Sequence, residues 1–388
     1  MTIDSPNSVV HDHNQVQQTH RDPVPTSGPT PRSLAEVPAA AKALLHGYFL
    51  RRRADVAQIS PQTAELIDQL ETFTLGGGKR VRPTFAWAGF RCAGGDRTSV
   101  IADPALQVCS ALELIQACAL IHDDVIDRSD TRRGNPTVHR SIGATHGQRQ
   151  WSGDGDHFGV STAVLLGDLA LCWADDMVAE AALPVERSVA MRPIWSAMRT
   201  EVLVGQLLDI TVEASGSESV EDAFQVMRFK TAAYTVSRPL QLGAALAGAD
   251  DQVIDMLGAI GDGLGIAFQL RDDLLGAFGD PAKTGKPSGD DLVAGKRTAL
   301  LALALKSADE SDPAAAQFLR QTIGHPMNDD ELTRVRAILH EVGAVRAVED
   351  DIDRLVEESL ATLAQAPFDA AARTDLTATA TAIAGRQA

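Results

Sequence analysis

Cysteine is scarce in this 388-residue chain, and the four present (Cys92, Cys109, Cys118, Cys172) form no CxxC pair and no zinc-like spacing. All four sit in apolar stretches, so buried free thiols are expected, in keeping with a reducing, cytoplasmic setting. Basic residues are also short: 35 Lys and Arg against 52 Asp and Glu leave a net charge of −17. That balance excludes nucleic acid as the main partner, because a phosphate backbone needs a basic surface. It does not exclude a small anionic substrate, for which local clusters decide. No apolar run reaches the length of a membrane span, and no basic segment followed by an apolar core marks the N-terminus as a secretory signal. Aromatics make up only 4%. Alternating strand patterns and repeats of fixed period are both missing.

What is present favours helix. Hydrophobic residues are 44% of the chain, and Ala and Leu outnumber β-branched residues. Residues 1–32 are polar, Pro/Ser/Thr/His-rich and aperiodic, which predicts a disordered tail whose His11, His13 and His20 are solvated. From Ser33 the pattern turns helical, with Leu34, Val37, Ala41, Leu44, Leu45 and Tyr48 on one face. Further amphipathic segments are predicted at 61–73, 82–93, 104–127, 160–182, 187–211, 219–247, 251–276, 296–308, 329–342 and 344–364. Residues 141–159 read as a surface loop. The expectation is an all-α bundle over residues 33–388.

Two aspartate clusters carry the chemistry. The first is His122-Asp123-Asp124-Val125-Ile126-Asp127, followed by Arg132-Arg133-Gly134. The second is Gln269-Leu270-Arg271-Asp272-Asp273, followed by a Gly- and Lys-rich stretch through Lys286. A carboxylate repels a diphosphate, but Mg²⁺ binds oxygens of both. Asp123 and Asp127, four apart, stand one turn above each other on a helix, whereas Asp124 points about 100° away and is the weaker ligand. If the helices ending in Asp127 and Asp273 face each other across a cavity, metal-bridged diphosphate fits between them. The second cluster lacks the acid four residues after Asp272; that position is Gly276, so the site leans on Asp272 and Asp273, with Asp280 nearby in sequence.

Cations accompany both clusters. Gly76-Gly77-Gly78-Lys79-Arg80-Val81-Arg82-Pro83 sets Lys79 and Arg82 on one face after a triple glycine that lets backbone approach closely. This suits a second diphosphate bound without metal. Arg132 and Arg133 offer bidentate forks to phosphate oxygens. Thr284-Gly285-Lys286 and Gly295-Lys296-Arg297 flank Asp290-Asp291 like a lid. On geometry alone Lys230, beside Thr231, is a solvated helix lysine. Asp175-Asp176 and Asp350-Asp351-Ile352-Asp353 lack glycines and paired arginines and read as solvated faces. His122-Asp123 has no further histidines arranged to complete a metal-hydrolase site.

Together these motifs resemble the polyprenyl synthetase family, the trans-isoprenyl diphosphate synthases. The match covers about residues 35–385 and runs in order through GGGKRVRP, ELIQACALIHDDVIDRSDTRRGNPTVH, LLGDLAL, FKTAAYTVSRPL and FQLRDDLLGAFGDPAKTGKPSGDDLVAGKRT. The resemblance implies an all-α bundle around a deep central cavity, usually a homodimer. It implies Mg²⁺ on Asp123, Asp127, Asp272 and Asp273, with Asp124 and Lys230 in the catalytic set. Arg132 and Lys230, with Thr231 and Gln269 nearby, would hold the allylic diphosphate, and Lys286 and Lys296 would close over it. Lys79, Arg82, Gln116 and Arg133 would hold isopentenyl diphosphate. The implied reaction is ionisation of the allylic diphosphate, attack by isopentenyl diphosphate and proton loss, probing a dry channel for the growing tail. Ile115, Cys118 and Ala119, before Asp123, are expected to line that channel. None is aromatic, which favours a C20 product, geranylgeranyl diphosphate, over farnesyl or longer products. A class I terpene cyclase would lack the second aspartate cluster and GGGKRVRP. A non-catalytic synthase subunit would have lost aspartates or cations.

Overall fold

The computed structural model describes residues 30–279 and 289–384. Sixteen α-helices account for most of these residues, in line with the all-α expectation. They are α1 (Val37–Ile59), α2 (Pro61–Leu75), α3 (Val81–Cys92), α4 (Ala102–Ile126), α5 (Val138–Gln148), α6 (Gly155–Ala179), α7 (Val185–Ser215) and α8 (Val220–Val226), then α9 (Arg238–Ala247), α10 (Asp251–Phe278), α11 (Asp290–Ala294), α12 (Ala299–Ser311), α13 (Pro313–Thr322), α14 (Asp329–Glu341), α15 (Ala344–Gln365) and α16 (Ala370–Ala384). Their starts obey local chemistry. Ser60 accepts from the Thr63 N–H ahead of Pro61, and Asp250 accepts from the Val253 N–H at the head of α10. Both satisfy a donor that the first turn leaves without a partner.

One long element joins α8 to α9 through a π-helical segment, Met227–Ser237. Wider turns of this kind are frequent at functional sites. Here the segment carries Lys230 and Thr231, and it is packed tightly on both sides. A β-carbon on Gly205 of α7 would lie 2.8 Å from the Lys230 Cα, and one on Gly265 of α10 would meet Ala232 at 2.8 Å.

Helix α4 runs through the main core, whose largest fully buried side chains include Trp87, Tyr48, Phe49, Phe85 and Leu112. A second apolar cluster gathers Leu270, Leu274, Leu301, Leu305, Leu319, Ile338 and Val348. Helix α10 spans both. Its first half (Leu257, Ile260, Leu264) packs into the main core and its second half (Leu270, Leu274, Ala277) into the other. The stretch bearing Asp272 and Asp273 is therefore fixed from both sides.

Several expectations are corrected. Residues 141–159 are mostly helical: α5 buries Val138, His139, Ile142 and His146 at helical spacing, and α6 begins at Gly155. Too few large apolar residues made that face inconspicuous. Helices α13 and α16 were also not anticipated. The expected tail lies outside the described residues except for its end, where Thr30 already donates to Asp103 at 2.7 Å. Cys172 is exposed rather than buried. Asp175 is not simply solvated, because it accepts from the Trp195 indole at 2.7 Å. Finally, α4, α6 and α10 are each long and apolar enough to cross a membrane by length and composition. Looking for uninterrupted apolar runs missed them, because such a window tolerates a pair of charges. The apolar window of α4 is 72% buried within the bundle, and those of α6 and α10 are 44% buried.

Candidate active site

The ends of α4 and α10 open on one cavity of about 1250 Å³. Asp123, Asp124 and Asp127 line it from α4, and Gln269, Asp272 and Asp273 from α10. Lys79, Arg82, Gln116, Arg132, Arg133, Lys230, Thr231 and Lys296 complete the wall. Two carboxylate clusters some 150 residues apart in sequence thus share a single mouth with the expected cations. Lys286, Thr284, Gly285 and Asp280 lie outside the described residues.

Each acid of the first cluster is engaged by a cation. Arg132 reaches back from a short antiparallel ribbon, Thr131–Arg132 paired with Asn135–Pro136. Arg133 and Gly134 form its tip, both at positive φ (53° and 75°), as a tight two-residue hairpin requires. The tip sends its two arginines apart. Arg132 donates to Asp124 Oδ1 through Nε at 2.8 Å and lies 3.2 Å from Asp123 Oδ2. Arg133 donates to the Gly76 carbonyl at 3.3 Å, beside the triple glycine. Lys230 Nζ bridges Asp123 Oδ1 at 3.2 Å and Asp209 Oδ2 at 2.5 Å. Lys296 Nζ holds Asp127 Oδ2 at 2.7 Å.

These contacts set the charge states. Burial works to raise the Asp123 carboxyl, but Lys230, Arg132 and Lys296 outweigh it and hold the group below the usual carboxylate range. Burial pushes Asp124 up to about 6 despite Arg132. Only 1% exposed, Asp124 lines the cavity and accepts from the Arg132 Nε–H. Burial pushes Asp273 up to about 8, with Asp291 and Asp272 adding repulsion against the Gln269 hydrogen bond of 2.9 Å. Burial would lower Lys230, yet Asp123 and Asp209 raise it above the ordinary lysine value.

The basic cluster before α3 divides its labour. Arg80, although it lines the cavity, is committed to an acid. It is buried, sits at φ 51°, and pairs with buried Glu113 at 2.5 Å. Arg82 donates to Thr235 Oγ1 at 2.8 Å and lies over the Tyr234 ring at 4.0 Å. The Tyr234 hydroxyl in turn donates to Gln116 Oε1. Lys79 is exposed at the rim.

Among the described residues, no three His, Cys, Asp or Glu side chains are gathered closely enough to hold a metal alone. Magnesium does not need such a cage, since it is typically held by one or two carboxylates plus substrate phosphates and water. Carboxylate oxygens set among lysines and arginines around one cavity fit that chemistry.

A model of the family described as polyprenyl synthetase matches residues 63–342. The chain belongs to that family. Within the family it is 33% identical over 291 residues to a geranylgeranyl diphosphate synthase of Mycobacterium tuberculosis, covering 74% of this chain and 75% of the relative. It is 32% identical over 294 residues to a geranylfarnesyl diphosphate synthase of Aeropyrum pernix, covering 75% and 84%. Among solved structures, a geranylgeranyl pyrophosphate synthase of Corynebacterium glutamicum, complexed with isoprenyl diphosphate and magnesium, superposes with a TM-score of 0.87. The two are 46% identical, with 92% of this chain and all of that chain covered.

For a polyprenyl synthetase, two parts of the site were not read from the sequence. Asp209 and Glu213 line the cavity from α7. A signal existed, because Asp209 interrupts the apolar run Val202–Ile210 and an acid there is costly unless paired. The second part is a correction. Ile115, Cys118 and Ala119 do not line this cavity; α4 presents Glu113, Gln116, Ala117 and Leu120 instead. The cavity-facing stripe runs from Asp123 round to Asp124 and Ala117, with Leu120 near its middle. Counting back four, five and eight residues from Asp123 alone rotates the choice away from that stripe. Cys118, 2% exposed, contacts His122, whose ring is bonded to the Val164 carbonyl of α6 at 3.1 Å. Lys230 reverses its residue-only reading, because the π-helical segment turns it inward.

Proposed function

We propose that this protein is a trans-prenyltransferase that condenses isopentenyl diphosphate with allylic diphosphates to all-trans geranylgeranyl diphosphate. The observation that carries the proposal is the meeting of both aspartate clusters and the Lys79/Arg82 cluster at one cavity. A cyclase of the same fold would need only the first cluster. Similarity to synthases of C20 product supports the chain length, as does the lack of aromatic residues among Gln116, Ala117 and Leu120 on the α4 wall.

The chain's own residues account for binding and orientation. Arg132, Lys230 and Lys296 stand beside the first aspartates and transfer their hydrogen bonds to the allylic diphosphate when it arrives. Asp123, Asp127, Asp272 and Asp273 would hold magnesium, which would stabilise the charge developing on the departing pyrophosphate. Lys79, Arg82 and Arg133 take the second diphosphate without metal. Tyr234, beneath the Arg82 guanidinium, fixes that fork in place. Outside the aspartate clusters, the cavity carboxylates Asp209 and Glu113 are already engaged by Lys230 and Arg80, and the proton lost from the new bond is assigned to the released pyrophosphate. A second copy of the chain belongs to this reading. Leu165 on α6 and Leu203, Val204 and Leu207 on α7 are exposed apolar side chains suited to covering by a partner. The free thiols are in keeping with a reducing cytoplasm.

The test uses the purified chain alone. Labelled isopentenyl diphosphate is incubated with dimethylallyl, geranyl or farnesyl diphosphate and Mg²⁺, and the products are sized. A linear C20 diphosphate is expected. Cyclic hydrocarbon, or activity only on adding another subunit, would refute the proposal.

A further inference from the structure

Arg80 holds a backbone conformation that an arginine takes only at a cost. Its φ of 51° and ψ of 44° are left-handed, where a β-carbon crowds the chain. Gly77 and Gly78 just before it are also at positive φ (77° and 81°), but they have no β-carbon to crowd. A glycine would suit position 80 on backbone grounds alone, so the reason for an arginine lies in its side chain.

Both ends of the residue are tied down. The Arg80 carbonyl accepts from the Thr84 N–H at 3.1 Å and from Thr84 Oγ1 at 2.8 Å, in the first turn of α3. The guanidinium pairs with Glu113 Oε2 of α4 at 2.5 Å, and the two side chains are only 7% and 5% exposed. The turn into α3 is thus pinned to α4 through Arg80. Its neighbours are what the pin leaves to the cavity. Lys79 lies at the rim, and Arg82 crosses to Thr235 and Tyr234 of the π-helical segment. Arg82 Nε is buried with no partner among the described residues, a donor left over for a ligand. Charge points the same way. Burial holds the Arg133 guanidinium below its ordinary value, Arg132, Arg80 and Arg82 add to that, and Glu113 opposes it.

We propose that the Arg80–Glu113 pair is a positioning device for the isopentenyl diphosphate subsite. It withholds Arg80 from the ligand and fixes the turn so that Lys79 and Arg82 face the diphosphate. This rests on the reading of Lys79 and Arg82 as the grip on isopentenyl diphosphate.

The test is steady-state kinetics of the full chain with Mg²⁺, each diphosphate varied in turn, with thermal melting as the folding check. Glu113→Leu should raise the KM for isopentenyl diphosphate by about ten- to a hundredfold, the cost of displacing a positioned group by about 1 Å. Glu113→Leu with Arg80→Met should raise it as much, although the buried charge is then gone. The KM for the allylic diphosphate should stay close to wild type in both. A rise in the double variant alone makes Arg80 itself a ligand and overturns the proposal. A rise in Glu113→Leu alone blames a stray guanidinium and overturns it too. No rise in either leaves the pair a purely structural one, and an equal rise for the allylic diphosphate makes the effect general; both overturn it. If Glu113→Leu does not fold, Glu113→Gln is read in its place with the same sign expected; if the double variant does not fold, the single variant decides. Arg82→Met separates the two readings. If it raises the KM for isopentenyl diphosphate while Glu113→Leu does not, only the positioning role fails. If Arg82→Met leaves that KM unchanged, the isopentenyl diphosphate reading of the cluster fails and takes the positioning role with it.

Discussion

Lys296→Met is expected to move two affinities in opposite directions. The Lys296 ammonium sits 2.7 Å from Asp127 Oδ2, with the two side chains 23% and 24% exposed. Magnesium on that oxygen would compete with the ammonium. A partly exposed ion pair is worth up to about 1 kcal/mol, so removing the lysine should tighten binding of Mg²⁺ alone by up to about fivefold. The same lysine is proposed to bond the allylic diphosphate. A hydrogen bond to a charged group contributes about 1.5–3 kcal/mol, so allylic diphosphate binding should weaken by about ten- to a hundredfold. Isopentenyl diphosphate, held by Lys79, Arg82 and Arg133, should be nearly unaffected. Titration calorimetry with Mg²⁺ alone reads the first effect, and steady-state kinetics with each diphosphate varied in turn reads the second. Unchanged Mg²⁺ affinity together with a raised KM for isopentenyl diphosphate would refute both the competition argument and the assignment of Lys296.

Other outcomes follow from the same geometry. Arg80→Met should destabilise the fold by about 3–5 kcal/mol in urea unfolding, because Glu113 is left buried and uncompensated; Arg80→Met with Glu113→Leu should recover most of the loss. Asp273, raised to about 8, must shed its proton to bind metal, so Mg²⁺–pyrophosphate affinity should rise as pH goes from about 6 to about 8 with proton release. A native carboxyl that binds its proton more tightly than the unfolded chain stabilises the metal-free protein at low pH. This contribution should decline as pH rises from about 4 to about 8, and Asp273→Asn should flatten the decline in thermal melts. Leu203→Glu with Leu207→Glu should yield monomers by light scattering, and dimers of unchanged affinity would place the interface elsewhere.

Much of this protein was legible along the chain because its signals are local. Four-residue spacing put Asp123 and Asp127 on one face, and both line the cavity; Asp124 lines it too, held by Arg132. Helix-favouring composition without alternating strands foretold the bundle. Ordered motifs foretold the family, and with it most of the cavity wall. Spacing within one helix says nothing about which other helix it faces. Tertiary packing alone decided that Arg80 answers Glu113, that the π-helical segment turns Lys230 toward Asp123 and Asp209, and that α4 shows Ala117 and Leu120 to the cavity. It also decided that the space beside Gly276 is filled by the Asp291 carboxylate, fifteen residues onward. Each of these is a contact between segments distant in sequence or separated by a turn, where charge and space are settled only once the helices are docked.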